Sequence, residues 1–280
     1  MNKINKSLMA AMLLAALPLS NALACTIDAW TGSPSATAPT ANGPQSAESN
    51  ARYSGLCALS ADAGQFVVDN FPGAEGVYRA RFYVLTSAVT SAATIFKATA
   101  SDNGQGATVV SIDLGAGGTS LSFNQNGTSA GTITGLTPGR WYSVEFLYKA
   151  YVDAANPGSF EASVAGNVSF TGSIPATPLS AGNTGTIGSA VLGFASGTGP
   201  ALRFDAFEST RSADTPIGRL CRGDASGDSS LSIADRVAIN NEILGNSVVT
   251  GQPDCTEDGA VSIADRVCLS NRVLAADTCP

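Results

Sequence analysis

Oxygen-bearing side chains recur at a fixed spacing in two stretches near the end of the sequence. Residues 224–235 (loop one) and 254–265 (loop two) each begin and end with aspartate, and the identical run Ser-Ile-Ala-Asp-Arg-Val covers the end of each loop, at 232–237 and 262–267. Oxygen atoms at positions 1, 3, 5, 7 and 12 of a twelve-residue loop form a ligand set that the hard cation Ca²⁺ prefers. The pattern therefore predicts two calcium sites. The predicted ligands are Asp224, Ser226, Asp228, the carbonyl of Ser230 and Asp235 in loop one, and Asp254, Thr256, Asp258, the carbonyl of Ala260 and Asp265 in loop two.

Two features of the loops bear on their calcium affinity. Position 6, where a sharp turn favours glycine, is Ser229 in loop one and Gly259 in loop two. Position 3 carries a hydroxyl group in both loops, which is a weaker ligand than a carboxylate or an amide oxygen. Because only loop two has the glycine, we expect loop two to bind Ca²⁺ more tightly than loop one.

Apolar residues recur at helical spacing behind each loop, which predicts two short amphipathic helices. Gly245 follows the first of them and predicts its C-terminal end. No apolar helix precedes either loop, so each unit is a loop followed by a single helix. The residues that set the spacing are Ile233, Val237, Ile243 and Leu244 after loop one, and Ile263, Val267, Val273 and Leu274 after loop two.

The first 24 residues have the features of a secretory signal peptide. Lys3 and Lys6 precede the apolar stretch 8–19, and residues 22–24 (Ala-Leu-Ala) offer a small-residue cleavage site. We therefore expect export from a bacterial cell, with the protein secreted or held at the cell surface. Cys25 follows the cleavage site, which leaves lipidation open. No other segment is apolar enough to predict a membrane span.

The composition argues against several classes of function. The chain has 15 basic and 22 acidic residues and a formal net charge of −7, which disfavours binding to nucleic acid or anionic lipid. It contains no histidine, which excludes Ser-His-Asp and Cys-His catalysis and histidine-ligated metal sites. A glycosidase with two carboxylates roughly 5–10 Å apart is the enzyme class that remains for an exported chain of this kind.

Six cysteines in an exported chain predict three disulfides. No Cys-x-x-Cys pair is present, so a zinc site is disfavoured. The expected pairs are Cys25–Cys57, Cys221–Cys255 and Cys268–Cys279, with Cys221–Cys279 and Cys255–Cys268 as the alternative for the last four cysteines.

Short runs of alternating polar and apolar residues fill the chain before residue 212, separated by Gly, Asn and Pro. The clearest are 78–84, 108–114 and 141–149, and Asn126-Gly127 predicts a tight hairpin turn. About ten such strands without a convincing helix predict an antiparallel two-sheet β-sandwich. The predicted domains are a signal peptide at 1–24, the sandwich at 25–211, a linker or short hinge at 212–220 and a small helical calcium module at 221–280.

The acidic side chains on the predicted strands form no recognisable catalytic pair, and no catalytic residue is assigned. Asp205 and Glu208 are three residues apart, which places them on opposite faces of a regular strand. Glu145 and Glu161 are isolated, and we expect them to be solvated. Sugar binding on an aromatic platform is a more economical role for a sandwich face than catalysis. Candidates for such a platform are Tyr83, Tyr148 and Tyr151, whereas Trp141 lies in an apolar alternation and is expected in the core.

Three segments of the sandwich resemble the concanavalin A-like (laminin G-like) jelly rolls of bacterial secreted proteins. They are Val77-Tyr-Arg-Ala-Arg-Phe-Tyr, Gly139-Arg-Trp-Tyr-Ser-Val-Glu-Phe and Phe204-Asp-Ala-Phe-Glu-Ser-Thr-Arg. The resemblance covers roughly residues 65–211 and implies a jelly-roll fold. It leaves the activity open, since such modules range from lectins to glycosidases to spacers. The Glu-x-Asp-x-x-Glu motif that is common in jelly-roll glucanases is absent.

The loop–helix, linker, loop–helix arrangement of residues 221–274 resembles a type I dockerin. Dockerins are calcium-dependent modules that bind cohesin domains, so the resemblance implies a cohesin-like partner on a scaffold or cell-surface protein. It also implies that positions 10 and 11 of each loop contact that partner. These residues are Ile233, Ala234, Ile263 and Ala264, where many dockerins have Ser or Thr, and the face is accordingly more apolar here.

The combined expectation is a secreted protein whose calcium module docks onto a cohesin-type scaffold and carries a β-sandwich cargo, with carbohydrate as the candidate ligand of that cargo. One alternative makes the sandwich an O-glycosyl hydrolase or another component of polysaccharide degradation. A second alternative makes the calcium module a structural clamp without a partner.

Overall fold

The computed structural model describes residues 26–33, 38, 40–42, 52–166, 170–212 and 215–280. The predicted signal peptide (1–24) and Cys25 lie outside these residues. No helix in the described part of the chain is long and apolar enough to cross a membrane.

Thirteen strands of the described residues form two antiparallel sheets, which confirms the predicted fold class. One sheet has seven strands in the order β1-β2-β13-β4-β9-β10-β11, and the other has six in the order β3-β12-β5-β6-β7-β8. The strands are β1 Thr40–Asn42, β2 Ala58–Ala61, β3 Gln65–Asp69, β4 Val77–Leu85, β5 Ala93–Thr99, β6 Thr108–Leu114, β7 Ser120–Gln125, β8 Thr128–Thr134, β9 Trp141–Lys149, β10 Ser159–Gly166, β11 Phe170–Pro178, β12 Ser189–Ser196 and β13 Leu202–Thr210.

Aromatic and branched side chains from the two facing sheets form the sandwich core. Phe82 of β4 and Phe146 of β9 pack against Phe96 of β5, with ring centroids 5.6 Å and 5.1 Å apart. These contacts cross from one sheet to the other and follow from the period-2 alternation of the strands. Tyr148 is also fully buried, and its hydroxyl donates to the carbonyl of Gly185 at 2.7 Å. Tyr148 is therefore no sugar platform.

The outer face of β4 is buried as well, because the chain that leads to the module lies across it. The backbone N–H groups of Ile217 and Gly218 donate to the carboxylate of Glu145 at 3.0 Å and 2.9 Å. The N–H of Leu220 donates to the hydroxyl of Tyr83 at 2.8 Å. Tyr83 is thus a buried anchor and no sugar platform, and this part of the predicted linker is not a free hinge.

The expectation that Glu145 and Glu161 are solvated is wrong for Glu145. Arg79 forms ion pairs with both carboxylates, at 2.8 Å to Glu145 and 3.2 Å to Glu161. Glu145 is buried, whereas the Glu161 side chain is about a third exposed. Both carboxylate oxygens of Glu145 accept a bond from the guanidinium or from the backbone of 217–218, so this buried charge is fully paired within the fold.

A β-bulge corrects the faces assigned to Asp205 and Glu208. Asp205 pairs with Tyr83 of β4 and Glu208 with Arg81, two residues away, because the register shifts between the two acids. Ala206 within the bulge has a φ of +47°. The extra residue resets the alternation, so the two acids lie on the same face of the sheet. Glu208 forms an ion pair with Arg81 at 2.7 Å.

Two helices follow loops one and two, as predicted, and pack against each other: α1 Ile233–Ile243 and α2 Ile263–Leu274. Ile239 and Leu269 are the fully buried residues between them. The residues whose spacing predicts the helices lie largely outside this core. Ile233 and Ile263, for example, are exposed. The positions of the two helices are confirmed. Most of the apolar residues that predict them lie on the surface of the module rather than in its core.

The disulfides of the module follow the alternative pairing. Cys221 is bonded to Cys279 and Cys255 to Cys268, so the first expectation for these four cysteines is wrong. Cys255 lies in loop two and Cys268 in the helix directly behind it, which makes this the local pair. Cys57 is also disulfide-bonded.

Asp205 gives the fold a predictable pH dependence. Burial raises the pKa of Asp205 from 3.8 to about 6, although N–H bonds from Ser54, Tyr53 and Ala206 oppose the shift. Between these two pKa values the folded state binds more protons than the unfolded state. The contribution of Asp205 to the free energy of unfolding therefore falls as the pH rises through this window.

We expect Asp205→Asn to remove this titration. Relative to wild type, the variant should gain on the order of 2 kcal/mol in free energy of unfolding between pH 4 and pH 7, on top of a constant offset. Urea denaturation at several pH values measures the difference, and Asp62→Asn on the exposed surface is the control. Parallel curves for Asp205→Asn and wild type would contradict the raised pKa.

Candidate metal centre and docking face

Loop one brings its three predicted carboxylates together in front of α1. Oxygen atoms of Asp224, Asp228 and Asp235 lie within 4.8 Å of one another. Asp224 Oδ1 accepts the N–H groups of Gly227 and Asp228 at 2.7 Å and 3.1 Å, and its Oδ2 accepts that of Ser229 at 2.8 Å. The loop's own backbone therefore wraps around the first aspartate.

Loop two repeats this arrangement in front of α2. Oxygen atoms of Asp254, Asp258 and Asp265 lie within 4.8 Å of one another. Asp254 accepts the N–H groups of Asp258 at 3.1 Å and Gly259 at 2.8 Å. The similar sequences thus fold into loops with equivalent hydrogen bonds, as the repeat predicts.

The other predicted ligands lie beside these carboxylates. The hydroxyls of Ser226 and Thr256, at position 3, are each 3.3 Å from Oδ1 of the aspartate at position 1. The backbone N–H groups of Ser230 and Ala260, at position 7, donate to the aspartate at position 5 at 2.9 Å and 3.1 Å. Positions 1, 3, 5 and 12 are therefore gathered in each loop, and position 7 is tied to position 5 through its backbone N–H.

The aspartate at position 12 also lies in the first turn of each helix and helps to cap it. Asp235 accepts the N–H of Ser232 at 2.8 Å, and Asp265 accepts that of Ser262 at 2.7 Å, while the two serines cap α1 and α2. This is a capping box. Ser-x-x-Asp at 232–235 and 262–265 is its signal in the sequence, which ligand spacing alone does not use.

The charges of the loops favour a bound cation. Burial, and after it the negative charge of Asp265, raises the pKa of Asp254 well above its ordinary value. The hydrogen bond from the N–H of Gly259 opposes this shift but does not cancel it. In loop one, hydrogen bonds from Ser230 lower the pKa of the exposed Asp228. Carboxylates at this separation repel one another, and a divalent cation between them would remove the repulsion. Oxygen donors alone make up both groups, which suits Ca²⁺.

Each loop has one non-glycine residue in the left-handed region of the backbone. Ser229 at position 6 of loop one has a φ of +64°, and Glu257 at position 4 of loop two has a φ of +56°. The matching residues are Gly259 and Gly227. A side chain in this region costs roughly 1–2 kcal/mol, so the glycine at position 6 does not by itself favour loop two. The difference that remains is burial, since residues 226–230 are exposed and 256–260 are not.

Glu257 is the residue of the loops that ligand spacing missed. It lies between two predicted ligands, is fully buried, and contacts the sandwich rather than the other carboxylates. The signal in the sequence is the contrast at position 4, where loop one has glycine and loop two has glutamate.

Both helices expose apolar side chains on the surface of the module. Ile233 is 65% exposed, Val237 55%, Ile263 55% and Val267 53%. Ala234 and Ala264 are exposed beside the two isoleucines. We call these six residues the docking face. Arg236 and Arg266 line the groove between the helices together with Ile233, Val237 and Asn240.

A cavity of about 400 Å³ lies on the sandwich, lined by residues 26–30 and by parts of β2, β12 and β13. The rings of Trp30 and Phe207 are 4.9 Å apart on its wall. Phe71 is largely exposed at the same cavity, and the acids Asp69 and Asp205 also line it. Aromatic and apolar side chains with a few polar groups are the usual lining of small-molecule sites.

No family model matches the sequence, and no curated protein matches it. The solved structures similar to it include alginate lyase Aly36B, with 12% sequence identity and a TM-score of 0.39 over 56% of this chain and 80% of that chain. The cellulose induced protein Cip1 has 16% identity and a TM-score of 0.43 over 69% and 91% of the two chains. A marine alginate lyase from Aplysia kurodai has 10% identity and a TM-score of 0.39 over 62% and 87%. Likeness at this level carries no argument about activity.

Proposed function

We propose that this is an exported bacterial protein whose C-terminal module, residues 221–280, binds two Ca²⁺ ions and docks onto a cohesin-type domain, with the β-sandwich as its cargo. The observation that carries the proposal is the pair of three-carboxylate groups, each within 4.8 Å and each directly in front of a helix. Such groups are costly without a cation, and a module with so small a core has little to offset the cost.

The calcium assignment predicts a stoichiometry. Isothermal titration of the full chain with Ca²⁺ should give two ions per chain, and Asp235→Asn and Asp265→Asn should each leave one. Asp277→Asn is the control, because Asp277 belongs to the module but pairs with Arg272 outside both groups. Retention of two ions by both position-12 variants, or no binding by wild type, would refute the assignment.

The docking assignment is supported by the exposure of the docking face. Four branched aliphatic side chains from two adjacent helices are more than half exposed, with arginines beside them. Interfaces of this kind bind a partner with an apolar centre and an acidic rim. The near identity of the two loop–helix units also offers two similar halves, so a partner could bind in either of two orientations.

Aspartate substitutions on the docking face test this role. Against a panel of purified cohesin domains, wild type should bind at least one in the presence of Ca²⁺ and none with chelator. Replacing Ile233 and Ala234 together with Ile263 and Ala264 should weaken that binding at least tenfold. Val152→Asp, at an equally exposed apolar site on the sandwich, is the control.

Either pair of the docking face changed alone should leave binding in place if two orientations are available. Loss of binding from one pair alone would refute the two-orientation hypothesis. Undiminished binding by the four-residue variant would refute the docking face itself.

The second candidate function places polysaccharide recognition in the sandwich, and the cavity with Trp30 and Phe207 favours it. Binding accounts for this cavity better than hydrolysis does, because the carboxylate of Asp205 already accepts three backbone N–H bonds. In affinity electrophoresis against neutral and anionic polysaccharides, Trp30→Ala should remove any retardation shown by wild type. Equal retardation of wild type and variant would exclude this cavity.

A further inference from the structure

Loop two is bound to the sandwich through its fourth residue, Glu257. The backbone N–H of Trp141, the first residue of β9, donates to the carbonyl of Glu257 at 2.9 Å. The hydroxyl of Tyr53 donates to the carboxylate at 2.8 Å, and Arg219 forms an ion pair with the same oxygen. Main chain and side chain of one residue therefore both join the calcium loop to the sandwich.

The neighbours of Glu257 add to this contact. Arg140, just before β9, donates to the carbonyl of Thr256 at 3.3 Å. Gly259 lies so close to Leu85 of β4 that an added Cβ would come within 3.1 Å of a methyl group of Leu85. Positions 3, 4 and 6 of loop two are thus fitted against the ends of two central strands.

Among the residues that the structure describes, none makes an equivalent connection to loop one at this position, and the loop-one unit meets the sandwich instead through Glu242 of α1, which pairs with Arg52 at 2.8 Å. The fourth residue of loop one is Gly227, which has no side chain to reach the sandwich, and residues 226–230 are exposed. The two loops are near copies in their carboxylates, yet only loop two carries an acid where the copies differ. The asymmetry is therefore in the attachment to the sandwich rather than in the ligand set.

Glu257 is held in a conformation that its own surroundings do not favour. Its backbone is left-handed, and its second carboxylate oxygen is buried without a hydrogen-bond partner among the described residues. Both features cost free energy and persist only where the flanking chain is fixed. The flanking residues are Thr256 and Asp258, which are both predicted ligands, so an ion in loop two would fix the chain on either side of Glu257.

We propose that calcium binding in loop two locks the module onto the sandwich through Glu257, whereas calcium in loop one does not. This inference rests on the two-calcium assignment proposed above. If Ca²⁺ binds loop two more tightly when Glu257 makes its contacts with the sandwich, then bound Ca²⁺ favours those contacts by the same factor, because the two equilibria are linked. The sandwich is then stabilised by Ca²⁺ although it holds no ion itself.

The test compares position-12 variants of the full chain, because Asp235 and Asp265 cap their helices in the same way and differ only in their loop. Thermal unfolding and hydrogen exchange of β9, including the amide of Trp141, are followed with Ca²⁺ and with chelator. In wild type, chelator should lower the melting temperature of the sandwich by on the order of 5–10 °C and speed exchange at Trp141 at least tenfold. Asp265→Asn should show the chelated behaviour even with Ca²⁺, and Asp235→Asn should behave like wild type.

Glu257→Gln keeps every predicted ligand and provides a second test that does not depend on a damaged loop. It should still bind two ions by titration, while the calcium-dependent shift of the sandwich falls to less than half. Equal effects of Asp235→Asn and Asp265→Asn, or a full calcium-dependent shift in Glu257→Gln, would overturn the lock. Two bound ions without any change in the sandwich would overturn the lock alone, and no bound ion would overturn both it and the calcium assignment.

Discussion

Mutual repulsion between aspartates is the constraint on which the C-terminal module depends. Six carboxylates are held in two groups by N–H groups of the surrounding backbone, and two of these carboxylates also cap the helices. The apolar core available to resist the repulsion is small, and among the described residues its buried members are Ala225, Ile239, Val249, Cys255, Val261 and Leu269. Two disulfides and the contacts with the sandwich also hold the module together against this repulsion. A module built in this way has its folding tied to whatever neutralises the loops.

The sandwich and the module share one buried surface rather than meeting at a flexible joint. Arg52, which precedes β2, is buried and forms an ion pair at 2.8 Å with Glu242 of α1. Tyr53 stacks on Tyr83 with centroids 3.6 Å apart, close to Trp141. Aromatic residues that would suit a sugar platform are used here to join two domains. The outer face of the seven-stranded sheet is thus partly covered by the chain's own C-terminal part.

The sequence predicts well those features that depend on spacing within a short stretch. The strands 108–114 and 141–149 have the predicted bounds, and Asn126 and Gly127 have the positive φ values that their hairpin turn requires. The grouping of aspartates follows from twelve-residue spacing alone. The helical spacing of the apolar residues predicts the two short helices behind the loops, and Gly245 predicts the end of the first.

Features that depend on distant parts of the chain were not predictable in this way. The odd spacing of three residues predicts that Asp205 and Glu208 lie on opposite faces of a regular strand. A β-bulge, shaped by contacts with residues 53–54 and β4, inserts an extra residue between them and places both on the same face. Glu145 looked solvated because its cover comes from residues 217–218, far along the chain. Disulfide connectivity was open because spacing does not say which of four cysteines meet. The role of Glu257 required knowing what lies against loop two.

The bond between Cys221 and Cys279 has a mechanical consequence. It joins two cysteines that are 58 positions apart and closes a ring that contains both loops and both helices. Tension applied between Leu220 and Pro280, on the two sides of the bond, would pass through the disulfide without loading that ring. Without the disulfide, a chain segment of this length could be extended by about 200 Å. The exposed apolar residues of α1 and α2 are therefore carried on a covalently closed element that keeps its shape under such a pull.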